Sequence, residues 1–91
     1  EQVVIEAADW ANMTFPQATA GSKASHLKRE AEELWRNPTD AEEMADVFLL
    51  LIHLADGEGV NLLEAGAAKL KKNQARKWGK PDSEGVVEHV R

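Results

Sequence analysis

The sequence predicts an all-α fold of four helices, and three observations carry that expectation. Proline stands only at positions 16, 38 and 81, each at a place where one segment gives way to the next. Between the prolines, apolar residues recur at helical spacing, and no window alternates as a strand does. From Met44 to Ala55 only Asp46 and His53 are polar, and a helix apolar nearly all round is one covered on most sides. Ninety-one residues suit a single small domain spanning 1–91.

The first helix is expected over about Gln2 to Met13, with Val4, Ile5, Ala8 and Ala11 on its apolar face. Thr14-Phe15-Pro16 ends it, because the residue before proline avoids the α region. After a small polar loop, 17–21, Ser22 is the expected N-cap of a second helix running to about Arg36. Asn37-Pro38 breaks it. Thr39, with Glu42 three residues on, reads as the capping box of a third helix reaching about Asp56, and Gly57 and Gly59 close that helix. The fourth runs from about Leu62 to Lys77 and stops at Trp78-Gly79-Lys80-Pro81. The tail, 82–91, shows no strong period and is read as irregular. Three other short helices in one chain hardly cover the third, so a bundle completed by a second copy is expected over a compact monomer.

Cysteine is absent, which excludes disulfides, thiolate metal sites and a cysteine nucleophile. The net charge of −5 argues against docking on a nucleic-acid backbone, which requires a clustered positive face. The longest apolar run, Val47 to Ile52, is too short to span a bilayer. The chain opens on Glu1 rather than Met, which suggests that sequence before it was removed, and no basic-then-apolar leader is seen. No nucleic-acid or membrane partner is expected, and the expected location is the cytoplasm.

Two carboxylate pairs share one spacing: Glu30-x-x-Glu33 and Glu43-x-x-Asp46. Residues three apart on a helix are neighbours on one face, and the Asn37-Pro38 turn favours an antiparallel hairpin. Glu33 lies four residues before that turn and Glu43 five after it, so all four acids face one another across the hairpin. One like-charge pair at ~4 Å costs roughly 4 kcal/mol at an effective dielectric of 20, so a cation is expected among them. Oxygen ligands without His or Cys select Mg²⁺ or Mn²⁺. A di-iron bundle would require Glu-x-x-His pairs, and no His here has a Glu three residues before it. Asp46, flanked by Ala45 and Val47, is expected at the start of a buried stretch, where a carboxylate needs a partner. The competing reading of the four acids is a solvated helix face.

Lys69, Asn73 and Arg76 share one face of the fourth helix and form a set suited to phosphate oxygens; the competing reading is a positive last turn that complements the helix dipole. Trp10 and Phe15 bracket the end of the first helix with Asn12 between them, placed to stack on a base while the amide reads its edge, or simply to join the core. His26 lies one turn before Glu30, and His53 two turns after Asp46; both suit packing roles.

The order W…TFP…S…HLKREAEEL…EEMADVFLLL…KLKKNQARKW resembles the MazG-like branch of the all-α nucleoside triphosphate pyrophosphatases, especially the phage and bacterial dATP/dGTP diphosphohydrolases. The resemblance covers about Trp10 to Trp78. The family's Glu-x-x-Glu then Glu-x-x-Asp hallmark falls on Glu30, Glu33, Glu43 and Asp46; Arg29 stands where many members carry an additional Glu. The resemblance implies a Mg²⁺-dependent hydrolase, with Mn²⁺ as a substitute, that cuts (deoxy)nucleoside triphosphates between the α and β phosphates. It implies metal binding by the four acids, proton acceptance by Glu30 or Glu33, phosphate contacts from Lys69, Asn73 and Arg76, and base contacts from Trp10 and Asn12. It also implies a homodimer or homotetramer. A non-enzymatic helical interaction module and a nucleotide-binding regulator without turnover are the alternatives.

Overall fold

The structure is a computed structural model describing residues 2–90; Glu1 and Arg91, the ends of the expected domain, lie outside the described residues. Four helices form: α1 (Gln2–Thr14), α2 (Ala20–Arg36), α3 (Ala41–Gly57) and α4 (Leu62–Ala75). The fold is all-α, and among the described residues the only strand-like pairing is an isolated antiparallel bridge between Trp78 and His89.

Two helix starts differ from the sequence expectation. The N-cap of α2 is Thr19, three residues before Ser22. The Thr19 hydroxyl accepts from the Ser22 amide at 3.1 Å, and the Ser22 hydroxyl accepts from the Thr19 amide at 2.9 Å. This is a reciprocal box in which serine takes the place usually held by Glu or Gln, so Ser22 belongs to the cap as its inner member. The N-cap of α3 is Asp40 rather than Thr39. Its carboxylate accepts from the amides of Glu42 and Glu43 and brings negative charge to the helix N-terminus.

The C-terminus of α3 is a Schellman turn. Val60 N–H bonds to the Ala55 carbonyl at 2.9 Å and Gly59 N–H to that of Asp56 at 3.1 Å. Gly59 adopts φ +68°, which glycine accepts without steric penalty.

The chain divides after Asn61 into two compact units. In the first, α3 packs against both α1 and α2, and Ala8, Ala11, Ile52 and Ala55 are buried. Small residues on α1 let it approach α3 closely. The α2–α3 pair is an antiparallel hairpin: Glu33 meets Glu43 near the turn, and Lys23 meets Gly57 at the far end. A Cβ at Gly57 would collide with the Lys23 ammonium. Not all of α3 is covered. Met44, Phe48 and Leu51, spaced four and three apart on one face, are exposed.

In the second unit the tail lacks helix and strand but folds back in order. Gly79 N–H bonds to the Glu88 carbonyl and Val90 N–H to that of Lys77, while Trp78 Nε1 donates to the Asn73 carbonyl at 2.9 Å. The Asp82 carboxylate accepts from the amides of Glu84 and Val86, and Gly85 takes φ +81°, completing the turn that returns the chain. Among the described residues no helix is long and apolar enough to cross a membrane.

Candidate active site

The hairpin brings Glu30 and Glu33 of α2 onto Glu43 of α3. One carboxylate oxygen from each lies within 4.8 Å of the others. Glu30 and Glu43 are each partly buried, and each has one Oε buried without a hydrogen-bond partner. Such atoms are costly to leave unmet. Burial raises the Glu30 carboxyl above the ordinary carboxylate range, and the neighbouring Glu33 and Asp46 add to the effect. Glu43 is raised for the same first reason, with Glu33, Asp40, Asp46 and Glu30 contributing in turn.

Asp46 is placed differently from the sequence expectation. It is exposed, not buried, because the apolar stretch of α3 becomes enclosed only from Ile52 onward. It remains close enough to act electrostatically on both Glu30 and Glu43, and it lines the adjoining cavity. His26, one turn before Glu30, places Nε2 at 3.5 Å from its Oε1.

That adjoining cavity, about 450 Å³, opens between α1, α2 and α3. Glu30 and Asp46 mark its acidic end, and Trp10, Phe15, Leu49 and Leu50 are among its apolar walls. Trp10, the candidate base contact on α1, lines this cavity. Asn12 does not: its amide donates to the Asp56 carboxylate at 2.8 Å, and it is absent from the cavity wall. Two positions separate Trp10 from Asn12, and on a helix that turns them to different faces.

Phe15 is a wall residue too, and so are His26 and His53, which sequence reasoning left in packing roles. The signals were present, in the one-turn spacing of His26 from Glu30 and the two-turn spacing of His53 from Asp46. Burial and the nearby Lys23 ammonium push the His53 imidazole below its ordinary range, against a smaller opposing effect of Asp56.

In the second unit the Arg76 guanidinium donates to the Asn73 side-chain oxygen at 3.3 Å. Both are partly buried, and Lys69 is exposed.

The trio fits a divalent cation. It supplies hard oxygen donors, converges them, and leaves two of their buried oxygens without any other partner.

Comparison with known proteins decides the family. A family model described as dATP/dGTP pyrophosphohydrolase matches residues 3–91. The chain belongs to the dATP/dGTP pyrophosphohydrolase family.

Among its relatives, a dATP/dGTP diphosphohydrolase of Salmonella phage PMBT28 is 38% identical over 82 residues, which are 89% of this chain. The chain spans only 28% of that relative's length. A dATP/dGTP diphosphohydrolase of Cyanophage S-2L is 36% identical over 87 residues, covering 93% of this chain and 82% of the relative. Among solved structures, the Cyanophage S-2L MazG-like pyrophosphohydrolase, bound to dGDP and three catalytic Mn²⁺ ions per active site, superposes with a TM-score of 0.84. It is 33% identical, and the match covers 99% of this chain and 95% of that one. The family's fold is therefore the fold described above.

Proposed function

We propose that this chain hydrolyses purine deoxynucleoside triphosphates between the α and β phosphates, releasing a nucleoside monophosphate and pyrophosphate. The convergence of Glu30, Glu33 and Glu43 at the acidic end of an aromatic cavity carries the reading. Two relatives described as dATP/dGTP diphosphohydrolases, and one solved with dGDP and Mn²⁺, support the substrate class.

Glu30, Glu33 and Glu43 would hold Mg²⁺ or Mn²⁺, with Asp46 adding negative charge from the cavity side. When bound, the ion supplies Lewis-acid polarisation of the phosphoryl oxygens and a lowered pKa for the attacking water. Glu30 and Glu33 are the candidate proton acceptors, being adjacent carboxylates on one turn of α2. Trp10 and Phe15 present ring surface to the nucleoside and exclude water from it. In the second unit, Arg76 beside Asn73, with Lys69 on the same helix, presents donors suited to phosphate oxygens, since a guanidinium offers paired donors. Asn12, committed to Asp56, is left out of base recognition.

Met44, Phe48 and Leu51 form an apolar face too large to leave in water, and we assign it to a homodimer or homotetramer interface. A cytoplasmic location fits a nucleotide substrate.

Incubating the protein with each dNTP and Mg²⁺ and resolving the products tests the reaction. The expected products are monophosphate and pyrophosphate. Release of orthophosphate would overturn the position of the cut, and nucleotide binding without products would favour a regulator.

A further inference from the structure

Arg76 stands one residue beyond the end of α4, which closes at Ala75. The helical ladder does not set its place, so its position depends on what holds the chain on either side. On the helix side the hold is loose. The Arg76 N–H reaches the Asn73 carbonyl at 3.3 Å, and its guanidinium reaches the Asn73 side-chain oxygen at the same distance. Both lie at the long edge of N–H···O geometry.

The shorter bond at this point comes from Trp78. Its indole Nε1 donates to that same Asn73 carbonyl at 2.9 Å, meeting one of the acceptors that a helix C-terminus leaves open. The indole is itself fixed. Its neighbours Lys77 and Gly79 are both tied to the returning tail. The Val90 N–H donates to the Lys77 carbonyl at 2.7 Å, and the Gly79 N–H to the Glu88 carbonyl at 2.8 Å. Trp78 and His89 are thus the opposed pair between two antiparallel bonds, the arrangement that brings facing side chains closest. Their rings meet edge-on, with centroids 6.0 Å apart and an interplanar angle of 84°. A Cβ on Gly79 would lie 3.3 Å from the Glu88 carbonyl oxygen, so the two segments are in close contact. The Asp82 carboxylate closes the far end, accepting from the amides of Glu84 and Val86 at 2.9 Å each.

A chain of contacts therefore runs from the Asp82 turn through His89 and Trp78 to Asn73 and Arg76, all within the second unit. A helix is commonly closed by a glycine and one or two backbone bonds. Here a buttressed indole does it, and the carbonyl it grips is the one to which Arg76 is bound.

We propose that Trp78, buttressed by His89 and the strap 77–90, is a positioning residue that holds Arg76 in place for a phosphate oxygen of the nucleotide. The inference rests on the reading of Arg76 as a phosphate contact and deepens it by giving the tail a task. A guanidinium carries its five N–H donors in a rigid fork, and such a fork pairs with an oxyanion only when its direction is fixed.

The test is a double-mutant cycle on KM for dGTP with Mg²⁺, using the wild type, Trp78→Phe, Arg76→Ala and the double variant. Phenylalanine keeps a ring edge against His89 and lacks the N–H. Trp78→Phe is expected to raise KM about three- to tenfold, the contribution of one hydrogen bond, with kcat held within about twofold. In the Arg76→Ala background the same substitution should change KM by less than about twofold. Asp82→Ala loosens the strap far from Arg76 and enters the same cycle should Trp78→Phe fail to fold. Asp82→Asn keeps the accepting oxygen and should restore the wild-type KM. A KM unchanged in Trp78→Phe, or a rise of equal size with and without Arg76, would overturn the proposal while leaving Arg76 as a phosphate contact. If Arg76→Ala alone leaves KM unchanged, the phosphate reading of Arg76 fails and the proposal with it. If no dNTP is cleaved, the hydrolase reading fails by itself. Calorimetric Kd values for dGTP in the same four proteins then take the place of KM, and a wild type that does not bind dGTP sinks the Trp78 assignment.

Discussion

The Phe15 ring meets the Trp10 ring edge-on, with centroids 5.8 Å apart and an interplanar angle of 86°. Phe15 also lies 6.1 Å from the His53 ring, tilted by 40°. The three rings form a continuous wall, and its outer member, Trp10, is 61% exposed. A tryptophan so open beside an apolar cavity is placed for a ligand more than for the core. Stacking on a base contributes about 1–3 kcal/mol. Trp10→Ala should therefore raise KM for the nucleotide roughly five- to a hundredfold, with a smaller change in kcat. Initial rates across substrate concentration check this, and an unchanged KM would remove Trp10 from the substrate contact.

The crowded acids make a signed statement about pH. Glu30 and Glu43 are raised by burial first and by their acidic neighbours second. A carboxyl raised in the folded state binds protons there that the unfolded chain has already released. Its contribution to stability is full below the ordinary carboxylate range and is lost as pH rises through the raised folded value. With EDTA present, the wild type should lose stability relative to Glu43→Gln as pH rises past the ordinary carboxylate range, about pH 4. Thermal melts of the two proteins measure that difference, and a gap that does not change with pH would contradict it.

The Thr19–Ser22 box fixes where α2 begins, and with it the register of Glu30 and Glu33. Thr19→Ala should cost about 1 kcal/mol, or roughly 4–8 °C in Tm for a domain of this size. Calorimetric melting of the metal-free protein measures the loss. An unchanged Tm would mean that packing on α3 alone sets the helix start.

The Met44–Phe48–Leu51 face is the sequence's surplus of apolar surface made visible. Phe48→Glu puts charge at its centre and should convert the proposed homo-oligomer to monomers while far-UV dichroism stays helical. Light scattering coupled to size exclusion gives the mass. A variant with the wild-type mass would clear this face of the interface.

Much of this arrangement was legible in the residues alone. The four helices followed from apolar spacing and from where proline and glycine stand. The carboxylate trio followed from two i,i+3 pairs placed symmetrically about a tight turn, because helix periodicity and chain reversal are local rules. Helix starts were less legible. Ser22, Thr39 and Asp40 are all competent caps, and the choice falls to whichever side chain finds an open amide. Asp46 was misplaced because apolar neighbours in sequence do not guarantee enclosure in space. Lys23 reads as an ordinary surface lysine until the hairpin folds it over Gly57.

The central claim is that Glu30, Glu33 and Glu43 form one divalent-cation site, and a calorimetric titration of Mn²⁺ into the nucleotide-free protein tests it most directly. The wild type should give saturable binding, and Glu33→Gln and Glu43→Gln should each weaken it by tenfold or more while remaining folded, about 1.4 kcal/mol per decade. Equal binding heats in all three proteins, or no saturable binding in the wild type, would contradict the account.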